Sequence, residues 1–263
     1  MQMSEVISSR ARLLLTSAGP TTEAIQDGLR ALAHTAINPK KVHILRVADG
    51  WSPFQWTSGA TLRQELKQRA EGLGARVWSH KYLKYVLGRA AVIDTMHGTA
   101  HPDALTRWSF RKAVEDADML LVPGGNTYQA MNGLKPHIEI IGKKIKEGLP
   151  YIGESAGSIV AGLTLRPAAL KPADIKPSGL GRNADIGLCF IHADIIPHAP
   201  GSEGEFAIQG LQSAIAGRLL RHHETLPSDI ETYRAEKTSE HVPAYVLHDK
   251  QALFVADSQI NVI

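Results

Sequence analysis

Short continuous apolar runs alternate along this chain with stretches whose apolar residues recur at helical spacing. Arg12-Leu13-Leu14-Leu15-Thr16 predicts a buried strand that stops at Ala18-Gly19-Pro20. Ile25, Leu29, Leu32 and Ala33 then fall on one face of a helix. Val42-His43-Ile44-Leu45-Arg46-Val47 predicts the next strand, and Leu62, Leu66, Ala70 and Leu73 a helix that ends at Gly74. Arg76-Val77-Trp78 reads as a third strand and residues 108–114 as a helix. Met119-Leu120-Leu121-Val122 is a continuous apolar strand closed by Pro123-Gly124-Gly125. A helical stretch through Ile138, Ile141, Ile145 and Leu149 follows, then a short strand at Pro150-Tyr151-Ile152-Gly153 and a helix over 155–163. Fully apolar strands separated by helical patterns predict an α/β fold, with a mostly parallel central sheet covered on both faces.

The pattern changes after residue 163. Pro167, Pro172 and Pro177, interleaved with Gly179, Gly181 and Gly187, predict a long surface excursion. Residues 190–196 read as strand and 203–223 as a long helix. The end reads as a hairpin, with Ala244-Tyr245-Val246-Leu247 and Ala252-Leu253-Phe254-Val255 flanking a turn at His248-Asp249-Lys250. No linker separates two cores, so one domain over 1–263 is expected.

Composition narrows the function classes. With 263 residues, 43% of them hydrophobic, the chain can bury a core without covalent staples. A formal charge of +3, evenly spread, gives no electrostatic footprint for nucleic acid. No apolar run reaches the roughly 20 residues that span a bilayer. Residues 1–12 lack the basic start and apolar stretch of a secretory signal. The single cysteine, Cys189, sits between Leu188 and Phe190 and reads as a buried small hydrophobe in a reducing compartment. A cytoplasmic location is expected, with no nucleic-acid or membrane partner.

Candidate chemistry centres on Gly153-Glu154-Ser155-Ala156-Gly157, a G-x-S-x-G sequence between a predicted strand and a predicted helix. In so sharp a turn the residues two before and two after the serine must be small. The hydroxyl then stands at a helix N-terminus that favours developing negative charge. The bland alternative is a glycine-rich turn with Ser155 as an ordinary N-cap. A serine nucleophile needs a base. His198, between Pro197 and Pro200 and just past an apolar run, is the candidate, with His192 as rival. The base needs an orienting acid. Asp249 is the candidate, with Glu154, Glu203, Glu205 and Asp257 as competitors. An oxyanion hole needs two N–H donors about 3 Å from the forming oxyanion. Ala156 supplies the first and Gly125, in Gly124-Gly125-Asn126-Thr127, the second. Asn126, Thr127 and Glu154 are candidates for contacting substrate, although Asn126 or Thr127 would also serve as a plain helix cap. His97 and His101 follow Asp94, but Gly98 and Pro102 argue for loop rather than a ligand-bearing helix, and no metal or cofactor is expected.

Taken together, Val122-Pro123-Gly124-Gly125-Asn126-Thr127-Tyr128-Gln129, Tyr151-Ile152-Gly153-Glu154-Ser155-Ala156-Gly157-Ser158 and Ile196-Pro197-His198 resemble the dipeptidase E (aspartyl dipeptidase) and cyanophycinase family of serine peptidases. The resemblance implies a three-layer, flavodoxin-like sandwich related to class I glutamine amidotransferases, with a nucleophile elbow. It also implies a triad in the order Ser155, His198, Asp249. The chain departs from the family pattern in two places. The acid is Asp without flanking glycine, where the family has Glu in a Gly-Leu-Pro-Glu-Gly-type segment. Gly204-Glu205 is followed by Phe206-Ala207-Ile208, without the family's arginine. A cleft lacking that cation has less reason to favour a substrate carboxylate; Arg166, Lys176 and Arg182 are alternative sources of charge. The implied activity is hydrolysis of short peptides through an acyl-enzyme, with a short peptide as substrate and a homodimer as the one assembly considered. A non-catalytic small-molecule-binding protein on the same fold, or an amidase or esterase using the same triad, are the rival readings.

Overall fold

The computed structural model describes residues 10–35, 41–47, 80–88, 90–96, 103–170, 174, 185–199 and 244–263. Its strands are β1 (Leu13–Thr16), β2 (Lys41–Val47), β3 (Ala90–Met96), β4 (Met119–Val122), β5 (Tyr151–Glu154), β6 (Asp194–Ala199), β7 (Ala244–His248), β8 (Ala252–Ala256) and β9 (Gln259–Val262). Its α-helices are α1 (Glu23–Ala33), α2 (His80–Leu87), α3 (Ala104–Asp116), α4 (Thr127–Leu134), α5 (Ile138–Lys146) and α6 (Ala156–Ala161). Among the described residues seven strands form one sheet in the order β3-β2-β4-β5-β1-β8-β9, while β6 and β7 pair separately. Pairing is parallel from β3 through β1, and antiparallel where β8 joins β1 and β9 joins β8.

Period-two alternation sends the sheet's side chains into two cores. Leu14, Ile44, Leu121 and Ile152 pack with Ile25, Leu29 and Leu32 of α1 and with Leu83 and Val86 of α2. On the opposite face Leu13, Leu15, Leu45, Leu120 and Tyr151 pack with Phe110 and Val114 of α3, Ile141 and Ile145 of α5, and Ile159 of α6. Each fully buried leucine contributes about 1.5–3 kcal/mol. The result is an α/β fold with helices on both faces of a mostly parallel sheet. Thr22 starts α1 by accepting from the Ile25 N–H at 3.3 Å, and Asp103 accepts from the Thr106 N–H at 2.7 Å ahead of α3. No helix among the described residues is long and apolar enough to cross a membrane.

Several expectations shift. The final segment is not one hairpin: β7 pairs with β6, parallel, in the small sheet, and β8 crosses to the main sheet beside β1. The hairpin is β8–β9, turned by Asp257 and Ser258, both at positive φ (50° and 63°). Two consecutive residues with positive φ are what a tight right-twisted hairpin turn requires, and Asp-Ser signals it more weakly than Asn-Gly. The strand expected over 190–196 lies at Asp194–Ala199. Strand β3 and helix α2 were not expected. β3 is an edge strand carrying Asp94 and Thr95, so its apolar pattern is broken. The stretch expected as one helix through Leu149 ends at Lys146, and the short 3-10 turn Lys135–His137, with Pro136, precedes it. Cys189 is exposed, at φ 56°, rather than buried. The expected helix over 62–74, the strand at 76–78 and the helix over 203–223 lie outside the described residues, as do Glu203, Glu205, Lys176, Arg182, His97 and His101.

Candidate active site

The elbow forms because the chain must turn from β5 into α6 with no room for side chains on either flank. A Cβ on Gly153 would lie 2.7 Å from the Gly157 carbonyl carbon and oxygen, and one on Gly157 would lie 1.8 Å from the Val122 carbonyl oxygen. Between them Ser155 adopts φ 51°, ψ −107°, a conformation costing of order 1–3 kcal/mol for a residue with a side chain. The turn is tied to the neighbouring strand. The Ser155 N–H donates to the Thr16 carbonyl at 3.0 Å, as does the Ser158 hydroxyl at 2.8 Å. The Tyr151 hydroxyl donates to the Gly157 carbonyl at 2.7 Å, and its complete burial pushes its pKa well above the ordinary tyrosine value.

Ser155 occupies the N-cap position of α6 but its side chain makes no capping bond. Its Oγ lies 2.7 Å from His198 Nε2, and His198 Nδ1 lies 2.6 Å from Asp249 Oδ1. Asp249 can only accept as a carboxylate, so Nδ1 carries the proton and Nε2 is left to accept from the serine hydroxyl. Three groups separated in sequence by 43 and 51 positions thus form one continuous chain of hydrogen bonds. The Ser155 residue is 6% exposed, the His198 side chain 10% and the Asp249 side chain 57%, so the acid end faces solvent.

His198 is within β6, at the irregularity between Ile196 and Ala199 where pairing with β7 slips. Breaks of this kind in a ladder re-aim side chains, and φ at His198 is positive (58°). Asp249 sits in the turn that carries the chain from β7 to β8, closed by the Gln251 N–H donating to the His248 carbonyl at 2.8 Å. The rival histidine, His192, is exposed and precedes β6. Of the competing acids, Glu154 ends β5 and Asp257 lies in the β8–β9 turn.

The glycine loop after β4 lies against the nucleophile. A Cβ on Gly124 would come 3.4 Å from Ser155 Cβ and 3.9 Å from its Oγ. Gly125 has φ 126°, a backbone region that side chains rarely tolerate. Asn126 caps α4, its Oδ1 accepting from the Gln129 N–H at 3.0 Å. Ala156 is the first residue of α6, where backbone N–H groups lack partners within the helix.

Two buried polar residues missed by the sequence reading complete the surroundings. Asp174, 8% exposed, accepts from the Thr127 N–H at 3.2 Å and from the Thr127 hydroxyl. A carboxylate at the first turn of α4 is favourably placed against the helix dipole. Burial first, then the charges of Asp185 and Asp174, push the Tyr128 hydroxyl up to about 12. Ser17, fully buried just after β1, accepts from the His198 N–H at 2.7 Å and donates to Asp249 Oδ1 at 3.0 Å. Ser17 carried one available signal: it follows the C-terminal end of a central parallel strand, where sites gather in open α/β sheets. Asp174 carried none, since it lies in an excursion with no periodic pattern. Arg166 is exposed at the start of a short 3-10 segment. No group of three or more potential metal ligands occurs among the described residues.

Comparison with known proteins identifies the family of the chain. The family model of Peptidase family S51 matches residues 98–263, more than half of the chain. The chain is 35% identical over 118 residues to Peptidase E of Shewanella sp. (strain ANA-3), covering 42% of this chain and 45% of that protein. It is 35% identical over 108 residues to Peptidase E of Shewanella denitrificans, covering 38% and 43%. The alignments thus span less than half the length of these curated relatives. Among solved structures, a candidate peptidase E protein from Listeria monocytogenes EGD-e superposes with a TM-score of 0.57 at 17% identity, covering 96% of this chain and 98% of that one. A peptidase from an acI-B1 actinobacterium gives 0.53 at 17% identity, covering 94% and 83%. These two likenesses establish the shared fold. By the extent of the family match, the chain belongs to Peptidase family S51.

Proposed function

We propose that the chain is a serine peptidase that hydrolyses short peptides through an acyl-enzyme. The observation that carries this reading is the unbroken contact from Ser155 Oγ through the His198 ring to Asp249. In this reading the Ser155 oxygen attacks the scissile carbonyl while His198 Nε2 takes the hydroxyl proton. Asp249 holds the ring in the required tautomer and stabilises the imidazolium. The carbonyl oxygen becomes an oxyanion, met by the N–H groups of Ala156 and Gly125. His198 returns its proton to the leaving amine, the C–N bond breaks, and an ester to Ser155 remains. Water, deprotonated by the same ring, then releases the acid and restores the serine.

A peptide substrate is supported by the name Peptidase E borne by the curated relatives. Asn126 and Thr127 act in this reading by shaping the substrate-facing loop, since Asn126 Oδ1 caps α4 and the Thr127 hydroxyl is given to Asp174. Glu154, half-buried beside the nucleophile, is the candidate side chain for contact with the peptide itself.

The test is labelling by a fluorophosphonate together with hydrolysis of a dipeptide panel that includes isoaspartyl peptides and simple esters. Wild type should label at Ser155 and cleave peptides, and Ser155→Ala should lose about 10⁴–10⁶ in kcat while remaining folded. Full activity in Ser155→Ala would end the proposal. Cleavage of esters alone would reassign the chain to an esterase.

A further inference from the structure

We propose that Ser17 is a positioning residue for this reaction, a buried hydroxyl that fixes the backbone of His198 and the carboxylate of Asp249 relative to each other. The inference rests on the proposed serine-peptidase reading. Three hydrogen bonds and one covalent path close a ring: His198 N–H to Ser17 Oγ (2.7 Å), Ser17 Oγ–H to Asp249 Oδ1 (3.0 Å), His198 Nδ1–H to Asp249 Oδ1 (2.6 Å), and the bonds from that ring nitrogen back to the His198 backbone. The direction of each bond follows from chemistry. A backbone N–H only donates and a carboxylate only accepts, so the one proton of the hydroxyl goes to Asp249 and a lone pair receives His198.

Two features make such a clamp necessary. First, His198 holds φ 58°, and a histidine stays in left-handed backbone only where its surroundings over-determine it. Second, the Asp249 side chain is 57% exposed. Water competes for its oxygens, and a turn residue at that exposure has other rotamers open to it. Ser17, by contrast, is fully buried. Its own backbone is pinned to the same turn: the Ser17 N–H donates to the Gln251 carbonyl at 3.2 Å. Thr21, farther along the same loop, donates from its hydroxyl to the Asp249 carbonyl at 3.1 Å. The loop after β1 therefore joins the sheet that carries the nucleophile to the turn that carries the acid. Ser17 is where that junction touches the reacting groups' immediate neighbours.

The test measures the second-order rate of fluorophosphonate labelling at Ser155 in the full chain, with folding checked by circular dichroism and thermal melting. Ser17→Ala should label about 10- to 100-fold more slowly than wild type, the range expected for losing a hydrogen bond to a charged group. Ser17→Cys fills the same space with a poor donor and acceptor. It should be slow as well, and it carries the test if Ser17→Ala does not fold. Combining Ser17→Ala with Asp249→Ala should slow labelling by less than the product of the two single effects, because Ser17 acts partly through that carboxylate. Wild-type labelling in Ser17→Ala, recovery of the wild-type rate in Ser17→Cys, or a purely multiplicative double variant would each overturn the assignment. Failure of the wild-type chain to label at Ser155 is a different result: it would remove the serine-peptidase reading, and this inference with it.

Discussion

The two halves of the candidate site are held by different physics. On the serine side, geometry is set by exclusion: Gly153 and Gly157 are pressed against backbone, and β5 runs between β4 and β1 with its first three residues buried. On the histidine–carboxylate side, a two-stranded pair with an irregular register carries His198, a solvent-facing turn carries Asp249, and side-chain hydrogen bonds hold the two together. Steric exclusion is specified by residue type at fixed spacing and tolerates no addition. Hydrogen-bonded assembly is specified by partners far apart in sequence and tolerates weakening by degrees. Substitutions should therefore fail in different ways on the two sides.

The largest effect is expected at Gly157. A methyl group there would sit 1.8 Å from the Val122 carbonyl oxygen, so β4 and α6 must separate or the elbow must open. Gly157→Ala should cost more than about 4 kcal/mol, the range reserved for core disruption, and should fail to accumulate as folded protein. A urea midpoint close to wild type would show that the turn is not sterically fixed. Asp249→Asn should behave in the opposite way. Its side chain is largely exposed, so unfolding should shift by under about 1 kcal/mol. The amide cannot hold Nδ1–H in the same manner, and kcat should fall by about 10²–10⁴. A stability loss comparable to that of Gly157→Ala would erase the contrast between the halves.

A smaller effect tests what the two sides share. Ser155 and His198 both hold positive φ, 51° and 58°. Glycine relieves that strain but adds freedom to the unfolded chain. The left-handed penalty of about 1–2 kcal/mol per residue exceeds the roughly 0.4–1 kcal/mol entropic cost. Each glycine variant should thus melt above the corresponding alanine variant, Ser155→Gly above Ser155→Ala and His198→Gly above His198→Ala. Chemical denaturation of the four proteins checks this. Equal midpoints would mean that the backbone there is not strained.

The same contrast explains which parts could be read from the chain. β1 and β4 are buried at every position, so their apolar runs are nearly continuous, and Gly-x-Ser-x-Gly announces its own crowding. Helix α1 was visible because its buried positions repeat cleanly, whereas β3 was not, because Asp94 and Thr95 interrupt an edge strand. Ser155, His198 and Asp249 were nominated from sequence and meet in space. The pairing of β7 with β6 was hidden, since a tight turn followed by an apolar run looks like a hairpin whether or not the chain changes sheets. Ser17 and Asp174 are defined by bonds to residues 181 and 47 positions away, and no local pattern encodes such a bond.

The smallest effect concerns pH and lies wholly on the sterically built side. His137, in the turn between α4 and α5, is 4% exposed, stacked on Phe110 with ring centroids 3.8 Å apart, and its Nε2 has no hydrogen-bond partner among the described residues. Burial, and after it the charge of Arg107, lowers its pKa below the ordinary histidine value of 6.5. The unfolded chain then binds the proton more readily than the folded one. As pH falls through the unfolded value near 6.5, protonation favours unfolding, and stability declines until the folded-state pKa is also passed. Above about pH 7 the group has no such effect. His137→Phe keeps the stack on Phe110 and removes the titration, so its urea midpoint should fall less than that of wild type between pH 7.5 and pH 5.5. Labelling of Ser155 in this variant, measured where both proteins remain folded, should follow the wild-type pH profile. An unchanged acid slope in His137→Phe would mean that the ring is protonated as easily in the fold as out of it. A displaced labelling profile would mean that the scaffold and the hydrogen-bonded half are coupled through the turn between α4 and α5.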